Sequence, residues 1–282
     1  MGTVTLPLVD TSRSAELPGP SGALQARPRP LSTTVLYPAR GPGGVVAGAI
    51  PLPGPRPLIV FAHGYDTAPA RYGALLDAWA RAGFVVAAPV FPLTSSRSAR
   101  LDESDIVNQP GDVSFVISSL LARDHGGGPL GGLINPGAIG VAGHSDGGET
   151  VAAVSFDSAA QDPRVKATVV MAGAELHLGG GSYFTAGDPP VLVVQGTADR
   201  INNPALSTQL YDADPGPKYL LQLPGAGHWA PYTGGGAAAQ VVTATTTAFF
   251  KAELLGDPRA RSQILPDGQV AGVATIASAN VG

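Results

Sequence analysis

Short apolar runs alternate along the chain with stretches of helical periodicity. Residues 58–62, 84–88, 139–142 and 191–194 are apolar on both faces, as strands covered by helices are. Residues 165–171 and 218–223 read as two further strands. Between them lie helical stretches. Residues 70–82 put Leu75, Leu76 and Trp79 on one face and stop at Gly83. Residues 112–123 repeat the spacing with Val113, Val116, Ile117, Leu120 and Leu121. Further helices are expected from Glu149 onward, over 204–211 and over 237–255. Strands alternating with helices predict an α/β fold: a mostly parallel central sheet with helices on both faces. About 20 residues separate the strands at 165–171 and 191–194, too few for a folded lid domain. An open cleft is therefore expected.

The two ends of the chain carry weaker patterns. Residues 1–30 are proline-rich, and Val4, Leu6 and Leu8 alternate as an edge strand would. Residues 31–37 and 45–50 read as strands, and residues 94–109 as a polar loop. Beyond Gly256 the chain turns rich in Pro, Gly and Ala. The expectation is one α/β domain over 1–256, with 1–30 as an N-terminal edge segment and 257–282 as a surface extension. There is no internal repeat.

Composition narrows the function more than the fold. The 282 residues include 38 Gly and 27 Pro, are 44% hydrophobic and 13% charged, and carry a net charge of −4. No basic patch speaks for nucleic acid. No apolar stretch approaches the ~20 residues of a membrane span. Cysteine is absent, which removes disulfides, thiolate metal sites and a cysteine nucleophile. No ligand-spaced His/Asp cluster points to a metal, and no cofactor is implied. The first eight residues lack both a basic segment and an apolar core, so they do not read as a signal peptide. The compartment stays open, and the chain is compatible with the mature part of a secreted protein.

The chemistry centres on Gly143-His144-Ser145-Asp146-Gly147-Gly148, at the end of an apolar strand and the start of a helix. This is the G-x-S-x-G nucleophile elbow in the context it requires. A serine hydroxyl is a poor nucleophile and needs an adjacent base. Ligand sites in such sheets lie beyond the C-terminal ends of the strands, so each partner must follow a strand. His228, in Gly225-Ala226-Gly227-His228-Trp229, follows the strand at 218–223 and is the expected base. Asp199 follows the strand at 191–194 and is the expected carboxylate, with Glu175 as competitor. An oxyanion needs two backbone N–H donors. Asp146, after the serine, is one. Tyr65, in His63-Gly64-Tyr65 after the strand at 58–62, is the other. Tyr65 and Trp229 are candidate walls of the substrate pocket, together with Glu175 and His177. A carboxylate at Asp146 is unfavourable beside a developing oxyanion. Its side chain is therefore expected to point away, hydrogen-bonded to the helix start or a neighbouring loop.

Over roughly residues 31–255 these motifs resemble the α/β-hydrolase superfamily, with Val35-Leu36-Tyr37-Pro38-Ala39 and Gly196-Thr197-Ala198-Asp199 adding to the match. Within it the chain is similar to dienelactone-hydrolase-like esterases, platelet-activating-factor acetylhydrolase-like lipases and cutinase-like polyesterases. It departs from the polyesterases in having no cysteine and in placing Glu175 and His177 where they carry a tryptophan. The resemblance implies an α/β-hydrolase fold without a lid domain and cofactor-free ester hydrolysis through an acyl-enzyme on Ser145. The substrate expected is a small-molecule ester of short or medium chain, or a lipid or polymer ester. The same triad serves a lipase, a polyester hydrolase, or a peptidase or amidase. A catalytically silent binding protein is the alternative from another class.

Overall fold

One sheet of ten strands runs through the molecule, in the order β10-β9-β8-β7-β6-β4-β5-β2-β1-β3. The computed structural model describes residues 1–281 apart from Pro42, Gly127, Pro129 and Ala186. The strands are β1 (Gly2–Pro18), β2 (Leu24–Tyr37), β3 (Val46–Ala47), β4 (Arg56–Ala62), β5 (Val85–Pro89), β6 (Ile134–His144), β7 (Val165–Met171), β8 (Val191–Gly196), β9 (Lys218–Leu223) and β10 (Thr275–Ala279). The helices are α1 (Gly73–Arg81), α2 (Gln109–Asp124), α3 (Asp146–Phe156), α4 (Pro204–Ala213), α5 (Ala230–Thr233), α6 (Ala237–Leu255) and α7 (Pro258–Gly268). Strands β4 to β9 pair in parallel, while β2 and β10 join antiparallel at the two sides. This is the α/β-hydrolase fold.

Strand β4 shows how the sequence builds the layers. Its side chains alternate across the sheet. Ile59 and Phe61 pack with Trp79 of α1 and with Phe249 and Phe250 of α6. Leu58, Val60 and Ala62 pack with Val113 and Val116 of α2 and Val151 and Val154 of α3. All five β4 residues are fully buried. Both faces of the strand are covered, which is why its run is uninterrupted.

Both ends of the chain depart from the expectation. Residues 2–37 form a long antiparallel hairpin, irregular in register between Asp10 and Ser14. Prolines concealed it. Strand β2 pairs with β5 only over Thr33–Leu36, so Pro28 and Pro30 lie where one side of the strand has no neighbour to bond. The hairpin also buries a charge. Arg29 is fully enclosed, with its guanidinium on the carboxylates of Asp105 and Asp112 at 2.7–2.9 Å. Asp105 sits in a 3₁₀ turn over Glu103–Asn108, inside the stretch read as loop. The strand expected at 45–50 shrinks to Val46–Ala47, both exposed.

Residues 258–279, expected as a surface extension, instead supply a helix and an edge strand. Ile264 of α7 is fully buried, Ala260 and Ala274 nearly so, and β10 pairs with β9. Asp257 caps α7 by accepting the N–H groups of Arg259 and Ala260. Between β7 and β8 the described residues form neither helix nor strand. Among the described residues no helix is long and apolar enough to cross a membrane.

Candidate active site

The elbow is built by close approach. A Cβ at Gly143 would overlap the carbonyl of Gly147, and one at Gly147 would overlap the carbonyl of Ala62 at the end of β4. Only glycine lets strand, turn and helix pack at that separation. The turn holds Ser145 at φ 57°, ψ −127°, a conformation costly for a non-glycine residue. The Ser145 N–H is anchored on the carbonyl of Met171 at 3.0 Å. Its own carbonyl accepts from Gly148 and Glu149, starting α3.

Asp199 and His228 arrive from the connections after β8 and β9 and meet. His228 Nδ1 lies 2.7 Å from Asp199 Oδ2. The other carboxylate oxygen accepts the N–H groups of Ile201 and Asn202 at 2.8 and 3.0 Å. Gln195 Nε2 reaches Oδ2 at 3.3 Å. A carboxylate oxygen accepts only, so Nδ1 carries the imidazole proton and Nε2 keeps its lone pair. That Nε2 is buried with no protein partner among the described residues. His144, the neighbour of Ser145, stacks on the His228 ring with centroids 4.5 Å apart. Ser145, Asp199 and His228 are 6%, 7% and 5% exposed.

The His63-Gly64-Tyr65 loop packs directly on the elbow. A Cβ at Gly64 would come within 3.0 Å of Ser145 Cβ. Among the described residues, neither the Tyr65 N–H nor the Asp146 N–H meets a backbone acceptor. Burial raises the Tyr65 phenol pKa, and the carboxylates of Glu103, Asp66, Asp146 and Asp102 raise it further. Tyr65 and Asp146 therefore border one acidic space. His63 holds the loop from below: it donates through Nδ1 to the Gly64 carbonyl at 2.8 Å and accepts the Phe91 N–H on Nε2 at 3.1 Å. Complete burial depresses its pKa to about 4.

The Asp146 carboxyl is influenced by its own backbone N–H at the helix start, while its Oδ2 is buried and finds no hydrogen-bond partner among the described residues. Burial, with nearby Glu103, pushes its pKa up to about 6. Burial, with Asp146 and Glu103, pushes Glu149 up to about 8. Among the described residues neither carboxylate takes part in an ion pair, so burial shifts both toward the neutral form. The consequence for stability has a definite sign. A carboxyl whose folded pKa lies above its unfolded value stabilises fully below the unfolded pKa, and that contribution is lost as pH climbs to the folded value. For Glu149 the window runs from 4.5 to about 8. Glu149→Gln should therefore melt several degrees above the parent at pH 8.5 and close to it at pH 4.5, as thermal melts at the two pH values would show. Equal melting gaps at both would contradict this.

The pocket candidates divide. Trp229 lies between two imidazoles, its ring 4.9 Å from that of His228 and 5.0 Å from that of His144, with Arg71 over its face at 4.0 Å. Glu175 and His177 pair with each other at 3.5 Å on the connection after β7. His177 also bonds the Gly181 carbonyl, and neither residue hydrogen-bonds to Ser145, Asp199 or His228. A groove of about 710 Å³ opens among α1, α6 and α7, lined by residues such as Ala78, Thr243 and Lys251 and by none of the three.

Sequence reasoning missed several supports. Gln195 steadies the Asp199 carboxylate. Asn202 ties the Asp199 loop to the Ala172 carbonyl at 2.6 Å. Tyr72 reaches His144 at 2.9 Å. The only signal in the chain was that Gln195 and Asn202 flank Asp199.

A model of the chlorophyllase family matches residues 39–206, more than half of the chain. The match spans Ser145 and Asp199 and ends before His228. No curated protein matches the chain.

Proposed function

The chain belongs to the chlorophyllase family, a family of α/β-hydrolase-type esterases, and from that premise we propose a serine-dependent carboxylic-ester hydrolase working through an acyl-enzyme. The observation that carries the reading is the 2.7 Å Asp199–His228 pair, which leaves Nε2 without a hydrogen-bond partner among the described residues and packs its ring against His144, the neighbour of Ser145. Ser145 Oγ attacks the ester carbonyl carbon while His228 Nε2 takes its proton. Asp199 holds the imidazole tautomer and stabilises the imidazolium that forms. The N–H groups of Tyr65 and Asp146 receive the oxyanion. The C–O bond breaks, and the alcohol leaves with the proton from His228. Water, deprotonated by the same nitrogen, releases the acid and restores Ser145.

Short and medium acyl groups fit the limited exposure at Ser145. Trp229 supplies an apolar wall beside the base. A panel of p-nitrophenyl esters of rising acyl length tests this. Turnover should peak at short or medium chains and fall at long ones. A maximum at the longest chains would favour a lipase or polyester hydrolase with the same triad. A second reading, chlorophyll as the ester, rests on family membership alone and belongs in the same panel.

A further inference from the structure

We propose that His144 is a positioning residue for the catalytic base, the last link of a one-way hydrogen-bond chain that sets the oxyanion loop and the base loop together. The proposal rests on the serine-hydrolase reading above. His144 is fully buried. Its Nε2 lies 2.8 Å from the main-chain carbonyl of His228, and its Nδ1 lies 2.9 Å from the Tyr72 hydroxyl. A carbonyl oxygen has no proton to give, so Nε2 must be the donor. Nδ1 then holds a lone pair, and the Tyr72 O–H must donate to it. The Tyr72 oxygen in turn accepts the Gly64 N–H, at a long 3.4 Å.

A second segment reaches the same glycine. The Gly64 carbonyl accepts from His63 Nδ1, and His63 Nε2 accepts the Phe91 N–H. Two directed segments therefore meet at Gly64: one runs from the Phe91 N–H through His63 to the Gly64 carbonyl, and the other from the Gly64 N–H through Tyr72 and His144 to the carbonyl of His228. Together they link the segments that follow β4, β5 and β9 to the last residue of β6. Such chains reinforce each bond in the series. Both imidazoles are uncharged in this arrangement: a second proton on His63 would face the Phe91 N–H, and one on His144 would force the Tyr72 hydroxyl to reverse from donor to acceptor. Burial meets that need, holding His63 at about 4 and His144 at about 3, the latter helped by the adjacent His228. Arg71, on the neighbouring Trp229 face, also opposes a charge on His144. The rings of Tyr72, His228, Trp229 and Tyr232 enclose His144 with centroids 4.5–5.6 Å away, so it has no other polar outlet.

His144→Phe keeps an aromatic ring in that enclosure and removes both hydrogen bonds. His144→Gln restores a donor toward the His228 carbonyl. The phenylalanine variant should lose about 10- to 100-fold in kcat with KM within about twofold. The glutamine variant should recover most of that loss. Tyr72→Phe, which deletes the donor to Nδ1, should shift kcat in the same direction. A phenylalanine variant with unchanged kcat would overturn the proposal, as would glutamine failing to rescue while melting like the parent. If the phenylalanine variant does not fold, ¹⁵N NMR of the unmodified protein decides. His144 should appear as the neutral Nε2–H tautomer throughout pH 5–8, and a ring that titrates there or carries its proton on Nδ1 overturns the chain. This readout needs no substrate. Failure of the serine mechanism, seen as full activity in Ser145→Ala, is thereby separable from failure of the chain.

Discussion

Replacing Ser145 with alanine lowers kcat/KM for ester hydrolysis by about 10⁴- to 10⁶-fold. The nucleophile disappears, and with it the covalent intermediate. What remains is water attack assisted by the oxyanion donors and by binding. The substitution is a clean one because alanine demands nothing new of the turn. Ser145 already holds φ 57°, ψ −127°, and alanine pays the same backbone cost. The two interactions that fix the residue, its N–H on Met171 and its carbonyl on Gly148 and Glu149, belong to the main chain and survive. The variant should therefore melt within a few degrees of the parent. Initial rates on the best ester of the panel, together with a thermal melt, check both halves. An activity loss below tenfold would remove Ser145 from the mechanism.

Asp199→Asn lowers kcat by about 10³- to 10⁴-fold, and the reason lies in the loop rather than in the lost charge alone. Asp199 Oδ1 accepts two main-chain N–H groups, from Ile201 and Asn202. An asparagine must keep its carbonyl oxygen there, since turning it would face NH₂ against two donors. Its NH₂ is then aimed at His228 Nδ1, 2.7 Å away in the parent. Nδ1 becomes the acceptor, and the proton moves to Nε2. The nitrogen that must take the serine proton is now occupied. The His228 tautomer should invert in ¹⁵N NMR while KM changes little. A variant that keeps the Nδ1–H tautomer and most of its turnover would contradict this account.

The parts of the fold legible in the sequence are those where one physical demand dominates. Strand β4 and strand β8 are buried on both faces, so their apolar runs stand out. The elbow was legible because Gly143 answers to Gly147 within the same turn, and because strand, serine and helix follow one another in the chain, although Gly147 itself answers to Ala62 on β4. Asp199 and His228 could be placed by rule, each being the residue type the chemistry needs just past a parallel strand. The N-terminal hairpin was hidden because Pro28 and Pro30 sit on an unpaired side, and because Arg29 is buried by partners 76 and 83 residues away. Helix α7 carries Pro266 inside it and little apolar patterning, so its packing through Ile264 left a faint trace.

Side-chain supports of the site were the least legible part. Tyr72 meets His144 across 72 positions, and His144 meets His228 across 84. Bonds of that span leave no periodic mark. Asp146 was foreseen as a difficulty but not in its form. One carboxylate oxygen, Oδ2, is left without a partner among the described residues; burial, with Glu103 nearby, raises the Asp146 pKa, and burial, with Asp146 and Glu103 nearby, raises that of Glu149.

Covalent trapping reaches the central claim most directly. The protein is treated with a fluorophosphonate, digested and read by mass spectrometry. The account predicts one phosphonyl adduct, on the peptide containing Ser145, formed at a rate that Asp199→Asn slows and Ser145→Ala abolishes. No adduct on the folded protein, or an adduct on a different serine that survives Ser145→Ala, would contradict it.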